Sequence, residues 1–153
     1  MKVRTDFVTN SSSSSFILGF KSEDSILDEL SERMDERFAK LVLDDIKDSE
    51  RLSPDEIMEY CREELYYTAR YAVMCERRHR ESFGTAFDWL ETDEGKAAVE
   101  KKLDEYMDYI KGRIEGRTVF TEVEYEDHTN FGSIMEHEIL PDHPNTVARI
   151  SHH

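Results

Sequence analysis

Five of the six histidines, His128, His137, His143, His152 and His153, fall in the final stretch of the chain, interleaved with Asp127, Glu136, Glu138 and Asp142. Imidazole nitrogens and carboxylate oxygens ligate first-row metals and also form acid–base pairs. His137, His152 and Glu136 are the metal-ligand candidates in this set. Their spacing gives no His-Glu-x-x-His helix, no i, i+4 histidine pair and no calcium-loop pattern, so the identity of a metal or other cofactor does not follow from it. If the last residues form a strand, His152 and His153 point to opposite faces, and only one of them can serve a given site.

At the other end, Asn10, Ser11, Ser12 and Ser13 lead a run of short polar side chains whose hydroxyls and backbone N–H groups suit an anion. The run lacks the glycines and the Gly-Lys-Ser/Thr ending of a phosphate-binding P-loop. A serine nucleophile with a C-terminal histidine as base and Glu136 or Asp142 as orienter is chemically coherent, but no nucleophile elbow surrounds these serines. Because the run lies between two apolar segments, it reads as an ordered loop rather than a spacer.

The two ends, Phe7-Val-Thr-Asn-Ser-Ser-Ser-Ser-Ser-Phe16 and Arg149-Ile-Ser-His-His153, resemble the head and tail of a family of small uncharacterised bacterial and phage proteins. The resemblance is specific as a string, covers only the termini and bears little on residues 20–115. It implies no activity. It does direct attention to the place where the two ends meet.

The net charge of −15 would repel a phosphate backbone or an anionic membrane surface, which argues against direct binding to nucleic acid or membrane. The charge is uneven. Residues 23–60 hold 14 acids against 5 Lys/Arg, and Asp28, Glu32, Asp35 and Glu36 lie on or beside the outward side of the first expected helix, where a basic partner could dock. Arg77-Arg78-His79-Arg80 is a small basic island after Tyr60, Tyr66, Tyr67 and Tyr71, a pairing reminiscent of single-strand binders that the surrounding acids oppose. Neither a membrane-length apolar run nor a secretory leader is legible, so the expectation is a cytoplasmic protein. Cys61 and Cys75 fall on one expected helix about 21 Å apart, too far for a disulfide.

Positioning falls to elements read from periodicity. Residues 3–8 and 15–20 read as a hairpin, and apolar spacing predicts a helix near 24–47. Ser53-Pro54-Asp55-Glu56 starts a second helix that runs to about Arg80, Phe87 to Leu90 suggest a short turn, and Thr92 caps a third helix that ends before Gly116. Period-two alternation from Thr118 to Tyr125 predicts a strand, with further strands at Ile134–Leu140 and Thr146–Ser151. The expected fold is α+β, a single domain over residues 1–153: a mainly antiparallel sheet of four to five strands from both termini, covered by about three central helices.

Two functions fit this outline. The first is a non-enzymatic acidic protein that binds, and thereby inhibits, a basic partner that handles nucleic acid. The second is a small enzyme or ligand-binding domain built on the serine loop and the C-terminal His/Glu cluster, acting with a metal or on a phosphorylated substrate. Oligomeric state does not follow from the sequence.

Overall fold

The computed structural model describes residues 12–152, and within them Ser13–Phe20 (β1) is the central strand of a three-stranded sheet. Phe16, Ile17, Leu18 and Phe20 are apolar at both parities, so this strand can be buried on both faces, and residues 14–20 are. Val119–Glu126 (β2) and Thr146–His152 (β3) flank it, both antiparallel, in the order β2-β1-β3. Register runs from Ser13 opposite Glu126 to Phe20 opposite Val119 on one side, and from Ser13 opposite His152 on the other, with Val147 as an extra residue in β3. The serine run and the Arg-Ile-Ser-His ending therefore lie side by side.

Two short helices, α1 (Ile26–Ser31) and α2 (Glu36–Lys47), lay Ile26, Leu30, Ala39, Val42 and Ile46 against Phe16, Leu18, Phe20, Val123 and Tyr125 of the sheet. Met135 and Leu140 complete this core. Tyr125 also donates its hydroxyl to Asp45 of α2 at 2.6 Å, and burial together with that carboxylate pushes the phenol strongly up. Ile17, Phe120, Ala148 and Ile150, at the alternate positions, are buried on the opposite face.

Three further helices follow: α3 (Pro54–Arg78), α4 (Phe83–Leu90) and α5 (Asp93–Ile114). The Ser82 hydroxyl caps α4 by accepting the Thr85 N–H, and Thr92 does the same for α5 through Gly95. Gly116, at φ +79°, takes the left-handed conformation that follows a helix end. The chain divides into two compact units, one made of the segments either side of residues 55–112 and the other of Asp55–Gly112. No helix among the described residues is long and apolar enough to cross a membrane.

Several expectations are corrected. Among the described residues the sheet has three strands, not four to five, and six α-helices replace the expected three. The helix expected near 24–47 breaks between Ser31 and Glu36, because Asp35 accepts the Arg37 N–H at 2.8 Å and starts α2 afresh. Residues 134–140, expected as a strand, belong to a helical run: α6 (Asn130–Ile134), a π-helical turn over Met135–Ile139 and a 3₁₀ turn over Leu140–Asp142. Phe131, Ile134 and Met135 recur at the i, i+3, i+4 spacing of a helix face, and that periodicity prevails. The expected strand at 3–8 lies outside the described residues, but its hairpin with 15–20 is corrected, because β2 and β3 occupy both edges of β1, and Ser13 and Ser14, expected in a loop, begin that strand.

The turn leading into β3 is locked around His143, which is buried. Its Nδ1 accepts the Asn145 N–H at 3.1 Å, leaving Nε2 to carry the hydrogen, 3.4 Å from the Leu30 carbonyl. Burial lowers the pKa of this imidazole, and the charges of Arg33 and Arg113 add to the effect, whereas the Leu30 carbonyl opposes it. In the unfolded chain the ring protonates near its ordinary value of about 6.5; folded, it does so only at lower pH. Its contribution to stability is therefore complete above about pH 6.5 and is lost as the pH falls towards the folded value. His143→Gln should flatten this dependence, seen as a urea midpoint gap between variant and wild type that narrows from about pH 7 to 5. A gap constant over that range would remove His143 from the acid response.

Candidate metal centre

Alternation along β1 puts Ser12 and Ser14 on the same face as Phe16, at the polar end of the core, while Ser13 and Ser15 face the other way. The same arithmetic on β2 carries Tyr125 and then Asp127 onto the face of Ser12. Asp127 closes the ladder there: its N–H donates to the Ser12 carbonyl and the Ser12 N–H donates to its Oδ1, each at 3.1 Å. That N–H and then the Ser12 hydroxyl hold the Asp127 carboxyl below its ordinary pKa against the opposing effect of burial, with a lesser contribution from the nearby imidazole of His137.

The π-helical turn brings the other groups. Its widened backbone is marked by the Leu140 N–H bonding back to Met135, and it carries Glu136 into the interior, fully buried, with His137 exposed beside it. Gly132, in α6 just before the turn, is required by close approach: a Cβ there would sit 2.0 Å from the Glu126 carbonyl, next to Asp127. One ligand atom from each of Asp127, Glu136 and His137 lies within 4.8 Å of the others.

Counting hydrogens shows what this cluster lacks. The Ser12 hydroxyl has one hydrogen but lies 3.0 Å from Asp127 Oδ2, 2.9 Å from Glu136 Oε1 and 3.4 Å from His137 Nε2. Ser14 donates to Glu136 Oε1 at 3.1 Å and accepts from Arg149 Nε at 3.2 Å. Glu136 Oε2 is buried without a hydrogen-bond donor among the described residues, with His137 Nε2 3.4 Å away. Two carboxylates thus converge where there are too few hydrogens for both, and a cation at their centre would supply the missing positive charge. Oxygen and imidazole donors without sulfur suit divalent Mn, Fe or Zn. Three protein ligands also leave coordination positions for a water or an oxyanion, as in catalytic rather than closed structural sites.

Glu136 and His137 are brought together, and Asp127 stands where the third expected ligand would be. His152 lies across from Ser13, so it belongs to the opposite face, where its Nε2 is 2.9 Å from the Ser15 hydroxyl. Asn10 and Ser11 fall outside the described residues. Ser12 and Ser13 direct their hydroxyls at carboxylates of this chain, Ser13 reaching Glu124 at 3.4 Å. Asp28, Glu32, Asp35 and Glu36 are all exposed. Asp35 forms a two-bond pair with Arg37, and Glu36 lies 3.8 Å from Lys40. Neither a family model nor a curated protein nor a solved structure matches this chain.

Proposed function

We propose that this chain is a small cytoplasmic domain that binds a divalent first-row metal ion through Asp127, Glu136 and His137, beside Ser12 at the start of β1. The observation that carries the reading is the buried Glu136, whose Oε2 lacks a hydrogen-bond donor while a second carboxylate and an imidazole converge on the same point. Bound there, the ion would offer an open position to an oxygen ligand such as a phosphorylated substrate, with the Ser12 hydroxyl beside it.

The test is a thermal midpoint with and without metal on protein freed of ions by chelator. Zinc or manganese at about a hundred times its Kd should stabilise the fold by about 2.7 kcal/mol, a rise of several degrees in a chain of this size. Elemental analysis of chelator-free preparations should find the ion near one equivalent. No shift with any of Mn, Fe or Zn, together with a metal-free preparation, would end the metal reading.

A second reading rests on the exposure of Asp28, Glu32, Asp35 and Glu36, and takes a basic protein that handles nucleic acid as the partner to be blocked. Asp28→Lys with Glu32→Lys should leave the melting point within a few degrees, since both side chains are exposed and surface substitutions usually change stability little, and should slow association with such a partner, as added salt does. Asp35 is kept out of this test because it caps α2. Association rates unchanged by both charge reversal and salt would reduce the acidic face to a solubility feature.

A further inference from the structure

The helical unit Asp55–Gly112 contains a cavity of about 250 Å³ whose wall includes Arg77 of α3, Arg80 just beyond it, Trp89 of α4, and Lys101 and Lys102 of α5. Four of the chain's 20 Lys/Arg thus line one small cavity in a protein of net charge −15. Two carboxylates share the wall, Glu76 and Glu105, and both lie near Lys102, at 3.1 and 3.9 Å. Arg77 pairs with Glu81 through Nη2 at 2.9 Å and stacks its guanidinium 4.3 Å from the centre of the Trp89 ring, which fixes its plane. Arg80 and Lys101 are exposed and have no side-chain ion pair among the described residues.

Two donors of the same wall are buried without an acceptor, Arg77 Nε and Trp89 Nε1. Neither atom is open to solvent in the cavity, so the groups left to meet a guest are the exposed cations Arg80 and Lys101 with Lys102 beside them, and the guest that suits them is an anion with several acceptor oxygens. Phosphate has that form, and arginine and lysine are its usual partners. The volume lies just below the roughly 300–1,000 Å³ of ordinary ligand pockets, which favours a compact molecule. A nucleic-acid chain would have to approach a protein of net charge −15.

We infer that this cavity binds a small phosphorylated molecule, its phosphate held by Arg80, Lys101 and Lys102. Trp89 is the single tryptophan of the chain, so its emission reports on the cavity alone. The full-length protein is titrated with inorganic phosphate and with ribose 5-phosphate at constant ionic strength, with ribose and sodium chloride as controls. A saturable change in emission with Kd of about 1 mM or tighter is expected for one or both phosphates and for neither control. The double variant Arg80→Gln, Lys101→Gln should weaken it at least about tenfold with an unchanged circular dichroism spectrum, because both side chains are exposed. Failure of both phosphates to saturate up to about 10 mM, an equal response to sodium chloride, or equal affinity in the double variant would overturn the assignment.

Discussion

Deleting Val147–His153 should abolish the folded sheet. β3 pairs with β1 along its length, and β1 is the central strand, with residues 14–20 all buried. Removing the flanking strand leaves the β1 groups that faced it without partners, at about 1–3 kcal/mol for each buried donor or acceptor. Loss of Val147 and Ile150, both buried, removes a further ~1.5–3 kcal/mol each. A few such terms exceed the 5–15 kcal/mol that holds an ordinary domain together. The direct measurement is hydrogen exchange at β1 amides, whose protection should fall to that of an unfolded chain. Ile150→Ala gives a graded check, expected to cost about 2–5 kcal/mol while the strand still pairs. A truncated protein with protected β1 amides and an unchanged melting point would show that the tail is dispensable.

Much of this neighbourhood can be read from period-two arithmetic. Counting back from Phe16 puts Ser14 and Ser12 on one face, counting on from Tyr125 puts Asp127 on a shared face, and the distinctive ends suggested that they would meet. Asp127 could have been promoted to a ligand on that count, since it continues the inward parity of Val123 and Tyr125. Glu136 and His137 could not be placed in the same way. Read as a strand, residues 134–140 put these two side chains on opposite faces; as a helical turn with a π insertion, they can both reach Ser12. The signals for the helix were present in Thr129, whose hydroxyl accepts the Gly132 N–H at 2.9 Å, and in the spacing of Phe131, Ile134 and Met135. They competed with a short apolar run for which periodicity alone does not separate strand from helix. The break before α2 was hidden for a related reason: an aspartate such as Asp35 reads as a helix surface residue or as a cap, and the apolar residues around it fit either phase.

Glu136→Gln should separate the stability of the fold from its affinity for metal. The amide keeps the size and shape of the carboxylate and one acceptor oxygen for Ser14, removes a buried negative charge, and adds two hydrogens where the cluster has too few. The metal-free variant should therefore be more stable than metal-free wild type by about 1–3 kcal/mol, the usual cost of a buried unsatisfied polar group. In a chain of this length that is a rise of about 2–4 °C per kcal/mol. Affinity should move the other way. A neutral amide in place of an anionic ligand should weaken the site at least about a hundredfold, beyond the 10–100-fold commonly seen when only a supporting residue is lost. Zinc or manganese at concentrations that stabilise wild type should then leave the variant's melting point unmoved. A metal-induced shift as large as that of wild type would remove Glu136 from the ligand set. A metal-free variant less stable than wild type would show that the carboxylate is already satisfied in the folded chain, and the argument for a cation at this point would lose its premise.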